Sequence, residues 1–259
     1  MASKKAYIIL IAIIVIFGLV MFILFGVPNI KKEAMESVLI VGDNTTWVYK
    51  EQKWTNQASL VAIEQYNWRE FKVFESNKEL GNYYLWHDDK WYAFKEDREA
   101  INITGNFIAY DANYEMKILD YMENEVDDMT YVYQVLEENN LARDSLFSSI
   151  YKVSVDFDGD STVEDFYLIT NVFALDFEPE EDFGIAFMVK NGEIYNIYNE
   201  VGVAVGLDNC KPYYNTFIDT NNDGIYEVIL SCGKYSTEGV IDRLYQFEDN
   251  QFKLMVSNQ

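Results

Sequence analysis

Histidine and cysteine are scarce in this chain. It has one histidine, His87, and two cysteines, Cys210 and Cys232. No C-x-x-C pair is present, so the usual tetrahedral zinc sites have no ligand set. The G-x-S-x-G elbow, the P-loop and the glycine-rich dinucleotide fingerprint are absent too. Cys210 and Cys232 flank one candidate hairpin. That leaves two readings open, a disulfide in an oxidising compartment or two small buried thiols. Basic residues are few: 20 lysines and arginines stand against 43 acids. A surface of this charge does not bind nucleic acid through its phosphates.

Hydrophobicity is concentrated at the start. Residues 6–27, AYIILIAIIVIFGLVMFILFGV, are 22 residues without a charge. As a helix this run is roughly 33 Å long, enough for a bilayer core of about 30 Å. It exceeds the apolar region of a cleaved signal peptide, and the following GVPNIKK has no small-x-small cleavage site. The sequence therefore predicts an uncleaved anchor. Lys4 and Lys5 precede it, Lys31 and Lys32 follow it, and none of the acids lies in residues 1–30. Removing Lys4 and Lys5 from the 20 basic residues leaves 18 against 43 acids, a net −25 for residues 31–259. Such a domain is repelled by an anionic membrane surface. The expectation is a single-pass plasma-membrane protein with its N-terminus inside and residues 31–259 extracellular.

The rest reads as mainly β: antiparallel, hairpin-rich, with one or two connecting helices. The expected divisions are 1–30 for the cytoplasmic tip and anchor, 31–36 for a connector and 37–126 for an aromatic-rich β region. A helical connector over 127–149 and a duplicated β region over 150–259 follow. YKEQKW from Tyr49 and WHDDKW from Trp86 each predict a tight hairpin with a polar tip, and FIAYDANYEMKIL from Phe107 has similar logic. WHDDKW puts His87 at an exposed tip, where a lone histidine without a placed partner is rarely catalytic. All five tryptophans lie between Trp47 and Trp91. Their pattern predicts core and cross-strand pairing, with an exposed aromatic face as the alternative. In DDMTYVYQVLEENNL, Met129, Val132, Tyr133, Val135, Leu136 and Leu141 fall on one helical face. This predicts a helix over 128–141 with Asp127 or Asp128 at its start.

A duplication organises the C-terminal region. YKVSVDFDGDSTVEDFYLIT stands beside NTFIDTNNDGIYEVILSC at an offset of 63 residues. Each copy reads as strand, acidic loop, strand, loop and hairpin, about four strands in all. Asn191-Gly192 suits a two-residue turn in the first. Four-stranded units in tandem fit either a partial propeller or packed antiparallel sheets.

DFDGDSTVE carries four acids in nine residues. A hard divalent cation offsets that repulsion, since calcium takes six to eight oxygen ligands in a flexible geometry. The first loop offers Asp156, Asp158, Asp160, the carbonyl of Thr162, and Glu164. The second offers Asp219, Asn221, Asp223, the carbonyl of Ile225, and Glu227. Gly224 suits the sharp turn at the sixth position of the second loop, where the first has Ser161 with Gly159 two residues earlier. Position 12 is Tyr167 in one copy and Leu230 in the other, and the flanks are strands, so neither is an EF-hand. The pattern resembles the D-x-D-x-D-G-x-x-D/E calcium loops of FG-GAP and VCBS repeats of integrin-like propellers, here in a bacterial-type membrane-anchored surface protein. Dockerin and thrombospondin type 3 modules carry similar loops. The resemblance covers two stretches of about a dozen residues and lacks the flanking sequence of FG-GAP repeats. It implies two structural calcium sites.

LDFEPEEDFG, from Leu175, reads as a solvated acidic loop or a third, looser cation site. The acids are too widespread to single out a catalytic pair. The sequence thus predicts a calcium-stabilised surface protein that acts by binding or assembly, with a surface protein or polysaccharide as ligand, and not an enzyme. A surface carbohydrate-active hydrolase with paired carboxylates is one alternative. An accessory subunit of a membrane complex is another.

Overall fold

The computed structural model describes residues 36–259 except 44, 52, 76, 89, 102, 104–106, 144, 146, 172–182, 202–209 and 235–238. The side chains of 60, 61, 210, 211 and 234 are outside the description as well. The chain divides into Met1–Glu36 and Ser37–Gln259. The predicted anchor over 6–27 lies outside the described residues, as does the acidic run 176–182. Among the described residues no helix is long and apolar enough to cross a membrane.

The described chain is mainly β, in three antiparallel sheets with two short helices. The first sheet has the order β3-β2-β1-β8-β4-β5-β6-β7. Its strands are β1 (Ser37–Val41), β2 (Thr45–Lys50), β3 (Lys53–Asn56), β4 (Arg69–Glu75), β5 (Lys78–His87), β6 (Trp91–Phe94), β7 (Ala100–Ile101) and β8 (Phe107–Asp111). The second sheet follows the order β10 (Glu123–Asn124), β11 (Ser149–Val155), β12 (Glu164–Asn171), β13 (Phe183–Lys190), β14 (Glu193–Val201). The third follows β9 (Lys117–Ile118), β15 (Cys210–Asp219), β16 (Glu227–Lys234), β17 (Val240–Glu248), β18 (Gln251–Ser257). The last two share one plan: a meander of four strands with a two-residue strand beside its first. Their closing hairpins turn on Asn191-Gly192 and Asp249-Asn250, all four residues at positive φ. That is the backbone a two-residue type I′ turn requires, and its twist matches the flanking strands.

Strand alternation explains how the sheets stack. On β12, Phe166 and Leu168 face one way and Tyr167 and Ile169 the other, all buried. Phe166 and Leu168 join Phe217, Val228 and Leu230 of the third sheet in one core. Ile218, Ile229 and Leu244, on the opposite face of the third sheet, meet Leu39, Trp47 and Trp54 of the first. Tyr167 and Ile169 lie under α2 (Thr130–Glu138), whose Val132, Val135 and Leu136 are fully buried. The first sheet's other face forms its own core around Phe71, Leu85, Trp91 and Ile63, the last on α1 (Leu60–Glu64). A helix thus covers the face a neighbouring blade would take in a propeller. Packed sheets, the second of the two expected arrangements, describe this geometry.

Two local expectations are corrected. FIAYDANYEMKIL is not a hairpin: β8 pairs with β1 and β4, while β9 leaves to pair with β15. The Tyr110 hydroxyl donates to the Met116 carbonyl at 2.8 Å and closes the corner between them. His87 is not exposed. Its ring lies 5.0 Å from that of Trp91 and the residue is buried. Its backbone N–H donates to Asn67 Oδ1 at 2.7 Å. Trp47, Trp54 and Trp91 are core residues, as their pattern predicts, while Trp68 is half exposed against Phe94. Helix α2 is shorter than expected, with Asp128 Oδ1 accepting from the Thr130 N–H and hydroxyl at its start.

Candidate metal centre

Both acidic loops join the first two strands of a meander. Glu164 opens β12 and Glu227 opens β16. Both are buried, with Glu164 at 0% exposure and Glu227 at 3%. Each uses Oε2 to accept a backbone N–H from its loop, from Phe157 at 2.9 Å and from Thr220 at 2.8 Å. Asp156 Oδ2 accepts from the Ser161 N–H at 3.1 Å, and Asp219 Oδ2 accepts from the Gly224 N–H at 3.0 Å. Asp160 Oδ1 accepts from Thr162 at 2.7 Å, and Asp223 Oδ1 accepts from Ile225 at 2.8 Å. These three bonds correspond one to one at the 63-residue offset. They bend each loop around its own carboxylates.

Such coiling needs left-handed backbone at the fourth and sixth positions. The fourth is Gly159 at φ 70° in the first loop and Asn222 at φ 61° in the second. The sixth is Ser161 at φ 70° and Gly224 at φ 89°. Each loop therefore has one glycine, at a different one of the two demanding places. Ser161 is exposed and bears the left-handed penalty of about 1–2 kcal/mol, partly offset by the entropy a glycine would lose. Ser161→Gly is accordingly expected to stabilise the fold by about 0.5–1 kcal/mol in urea unfolding. An unchanged or lower midpoint would mean that the Ser161 side chain contributes something the backbone argument omits.

The interiors of the two loops differ. In the first, ligand oxygens of Asp156, Asp158 and Glu164 all lie within 4.8 Å of one another. The ammonium of Lys190, the last residue of β13, enters this group. It donates to Asp158, lies 3.3 Å from Asp160 Oδ2 and 3.1 Å from Glu164 Oε1. The Glu164 contact is one of charge, because that oxygen has no hydrogen bond of good geometry. Burial opposes the charge on Lys190, but the bond to Asp158 and the close carboxylates of Glu164 and Asp158 outweigh it and raise its pKa. In the second loop, Asp223 N–H donates to Asp219 Oδ1 at 3.2 Å and to Asn221 Oδ1 at 3.0 Å. Among the described residues no lysine or arginine pairs with Asp219, Asp223 or Glu227. Burial pushes Glu227 up to about 7, against the pull of the Thr220 N–H.

Strand register explains the difference. β12 and β13 pair Asp165 with Val189, and β16 and β17 pair Val228 with Tyr245. One step further along each ladder, Lys190 stands across from Glu164 and Gln246 across from Glu227. Gln246 and Glu227 line a cavity of about 100 Å³ together with Tyr49, Trp54, Thr220 and Asn221. The position across the ladder is thus held by a cation in one copy and by a neutral amide in the other.

The loops also touch. Tyr226 N–H donates across to the Phe157 carbonyl at 3.1 Å. A Cβ on Gly159 would lie 3.5 Å from the Gly224 carbonyl. The Tyr226 phenol is raised by burial and then by the charges of Asp219 and Asp156, one from each loop.

All ten residues read from the sequence as ligands are thus tied into a loop by named bonds or charge contacts: Asp156, Asp158, Asp160, Thr162, Glu164, Asp219, Asn221, Asp223, Ile225 and Glu227. Thr162 and Ile225 join through their N–H groups. The sequence does not reveal Lys190 or Gln246, because their pairing depends on the β12–β13 and β16–β17 registers, and 172–182 and 235–238 intervene. Cys232 is disulfide-bonded, and the chain has one other cysteine, Cys210. The chain matches no family model, no curated protein and no solved structure.

Proposed function

We propose that this chain is a single-pass plasma-membrane protein, anchored through residues 6–27 with its N-terminus inside. Residues 31–259 then form an extracellular, calcium-stabilised β protein that acts by binding or assembly. The observation that carries the calcium reading is the matched hydrogen-bond frame of the two acidic loops. The buried Glu227 points the same way, since a buried carboxylate needs a counter-charge and, among the described residues, no lysine or arginine pairs with it. The disulfide of Cys232 supports an oxidising compartment. The strong negative charge supports a domain held away from the membrane surface. Its ligand is a surface protein or a polysaccharide.

A groove of about 460 Å³, lined by Asn77, Tyr121, Met122, Glu123, Tyr213, Tyr214 and Asn215, supports binding over hydrolysis. It presents aromatic rings and amides but a single carboxylate, where glycoside hydrolysis uses two.

Extracellular modules bind calcium at about 0.1–1 mM, so at roughly 1 mM calcium an occupied site adds about 0.4–1.4 kcal/mol. Chelation is therefore expected to lower the melting temperature of the full chain in detergent by roughly 1–5 °C, with recovery on adding calcium. A melting curve indifferent to both treatments would sink the calcium reading.

A further inference from the structure

We infer that Lys190 is the resident cation of the first acidic loop. Its ammonium takes the position a divalent ion would hold, and calcium goes to the second loop alone. The inference rests on the calcium reading for the second loop only. The Lys190 assignment stands on contacts already described.

Three observations carry it. First, the Lys190 side chain is only 16% exposed and reaches three carboxylates of one loop, those of Asp158, Asp160 and Glu164. A flexible surface lysine does not give up its hydration for a partner in water. Second, Glu164 is fully buried, and Lys190 is the only cation paired with it among the described residues. A carboxylate without access to water needs a cation in contact, so the pairing is built into the fold. Third, Gln246 takes the place across from Glu227 in the second meander. It brings no charge, and it lines a cavity beside the loop. The same frame is therefore closed by a lysine in one copy, while in the other, among the described residues, no lysine or arginine pairs with the buried glutamate.

Charge accounting gives the consequence. A calcium ion entering the first loop would have to expel the ammonium or sit beside it, and either costs the pairing already made. Removing the ammonium should convert the loop into a second calcium site, because Asp156, Asp158 and Glu164 remain gathered around its centre.

The test uses the full chain in detergent. Wild type, Lys190→Met, Lys190→Arg and Glu227→Gln are compared by thermal melting with and without chelator, and by calorimetric titration with calcium. In chelator, Lys190→Met is expected to melt roughly 5–10 °C below wild type, and Lys190→Arg close to it. Millimolar calcium should recover most of that loss. The number of calcium ions bound should be one for wild type and two for Lys190→Met. Glu227→Gln should abolish the single wild-type binding event. If Lys190→Met does not fold in chelator, folding restored by calcium supports the assignment, and failure to fold in calcium as well overturns it. Equal melting of Lys190→Met and wild type in chelator overturns it, as does a wild type that already binds two ions. A wild type that binds none, beside a Lys190→Met that melts low and is rescued by calcium, supports the Lys190 assignment and sinks the calcium reading of the second loop.

Discussion

Phe166→Ala is expected to destabilise the protein by about 3–5 kcal/mol, the range for removing a fully buried phenylalanine whose site cannot collapse. Phe166 is fully buried on β12, on the face that meets the third sheet. Its ring centroid lies 5.1 Å from Phe157, 4.8 Å from Phe217, 6.1 Å from Tyr214 and 6.4 Å from Phe252. Most of these rings meet edge to face, the arrangement the aromatic quadrupole favours. Phe157 belongs to the first acidic loop, so truncating Phe166 also removes the floor on which that loop rests. The rings around the gap come from two sheets and cannot all close in at once. Urea unfolding should show the loss both by circular dichroism and by tryptophan fluorescence. All five tryptophans lie between Trp47 and Trp91, in the region of the first sheet. A coincident shift would establish that the sheets unfold together. A loss below about 1 kcal/mol would show that the two-sheet core repacks, contrary to the geometry.

Asp242→Ala is expected to cost about 2–4 kcal/mol, from several buried polar groups each losing a partner at about 1–3 kcal/mol. Asp242 on β17 is 3% exposed. Thr45 Oγ1 donates to its Oδ2 at 2.6 Å, and the Ser231 hydroxyl donates to its other oxygen. Its own N–H donates to Asn258 Oδ1 at 3.0 Å, and Asn258 Nδ2 donates to Thr45 Oγ1 at 2.6 Å. Alanine leaves both hydroxyl protons without their acceptor, whereas asparagine keeps one acceptor and should cost less. Burial raises the Asp242 carboxyl above its ordinary value, opposed by the Ser231 and Thr45 bonds and the Arg243 charge. The folded state therefore holds this proton more tightly than the unfolded chain does. Its contribution to stability is full below the ordinary carboxylate range and is lost as pH rises through the raised value. Asp242→Asn, which does not titrate, should gain on wild type in urea melts as pH rises above the ordinary carboxylate range. A stability difference that does not change with pH would contradict the burial argument.

The apolar runs of β12 and β13 were enough to place the central meander strands, because both of their faces are covered. The Asn191-Gly192 turn was legible for a backbone reason, since both residues tolerate positive φ. The glutamates that open β12 and β16 were legible from spacing. What escaped was whatever depends on pairing between distant segments. The two-residue strands β9 and β10 are too short for any pattern, and they exist because β15 and β11 offer free edges. His87 looked exposed because its neighbours Asp88 and Asp89 are polar, yet the ring packs on Trp91. Nothing in the sequence around Lys190 marks it as a partner of the acidic loop. Only the register across β12 and β13 turns it toward Glu164.

The bond between Asn258 and Thr45 joins residues 213 positions apart. It has a consequence for how the protein is made. Leu39, Trp47 and Trp54 of the first sheet are covered by Ile218, Leu244 and Val256. A ribosome adding about 5–20 residues per second needs roughly 10–40 s to deliver those partners after β2 has appeared. For that interval the emerging chain presents an unmatched aromatic surface, and that surface is where it is most exposed to aggregation.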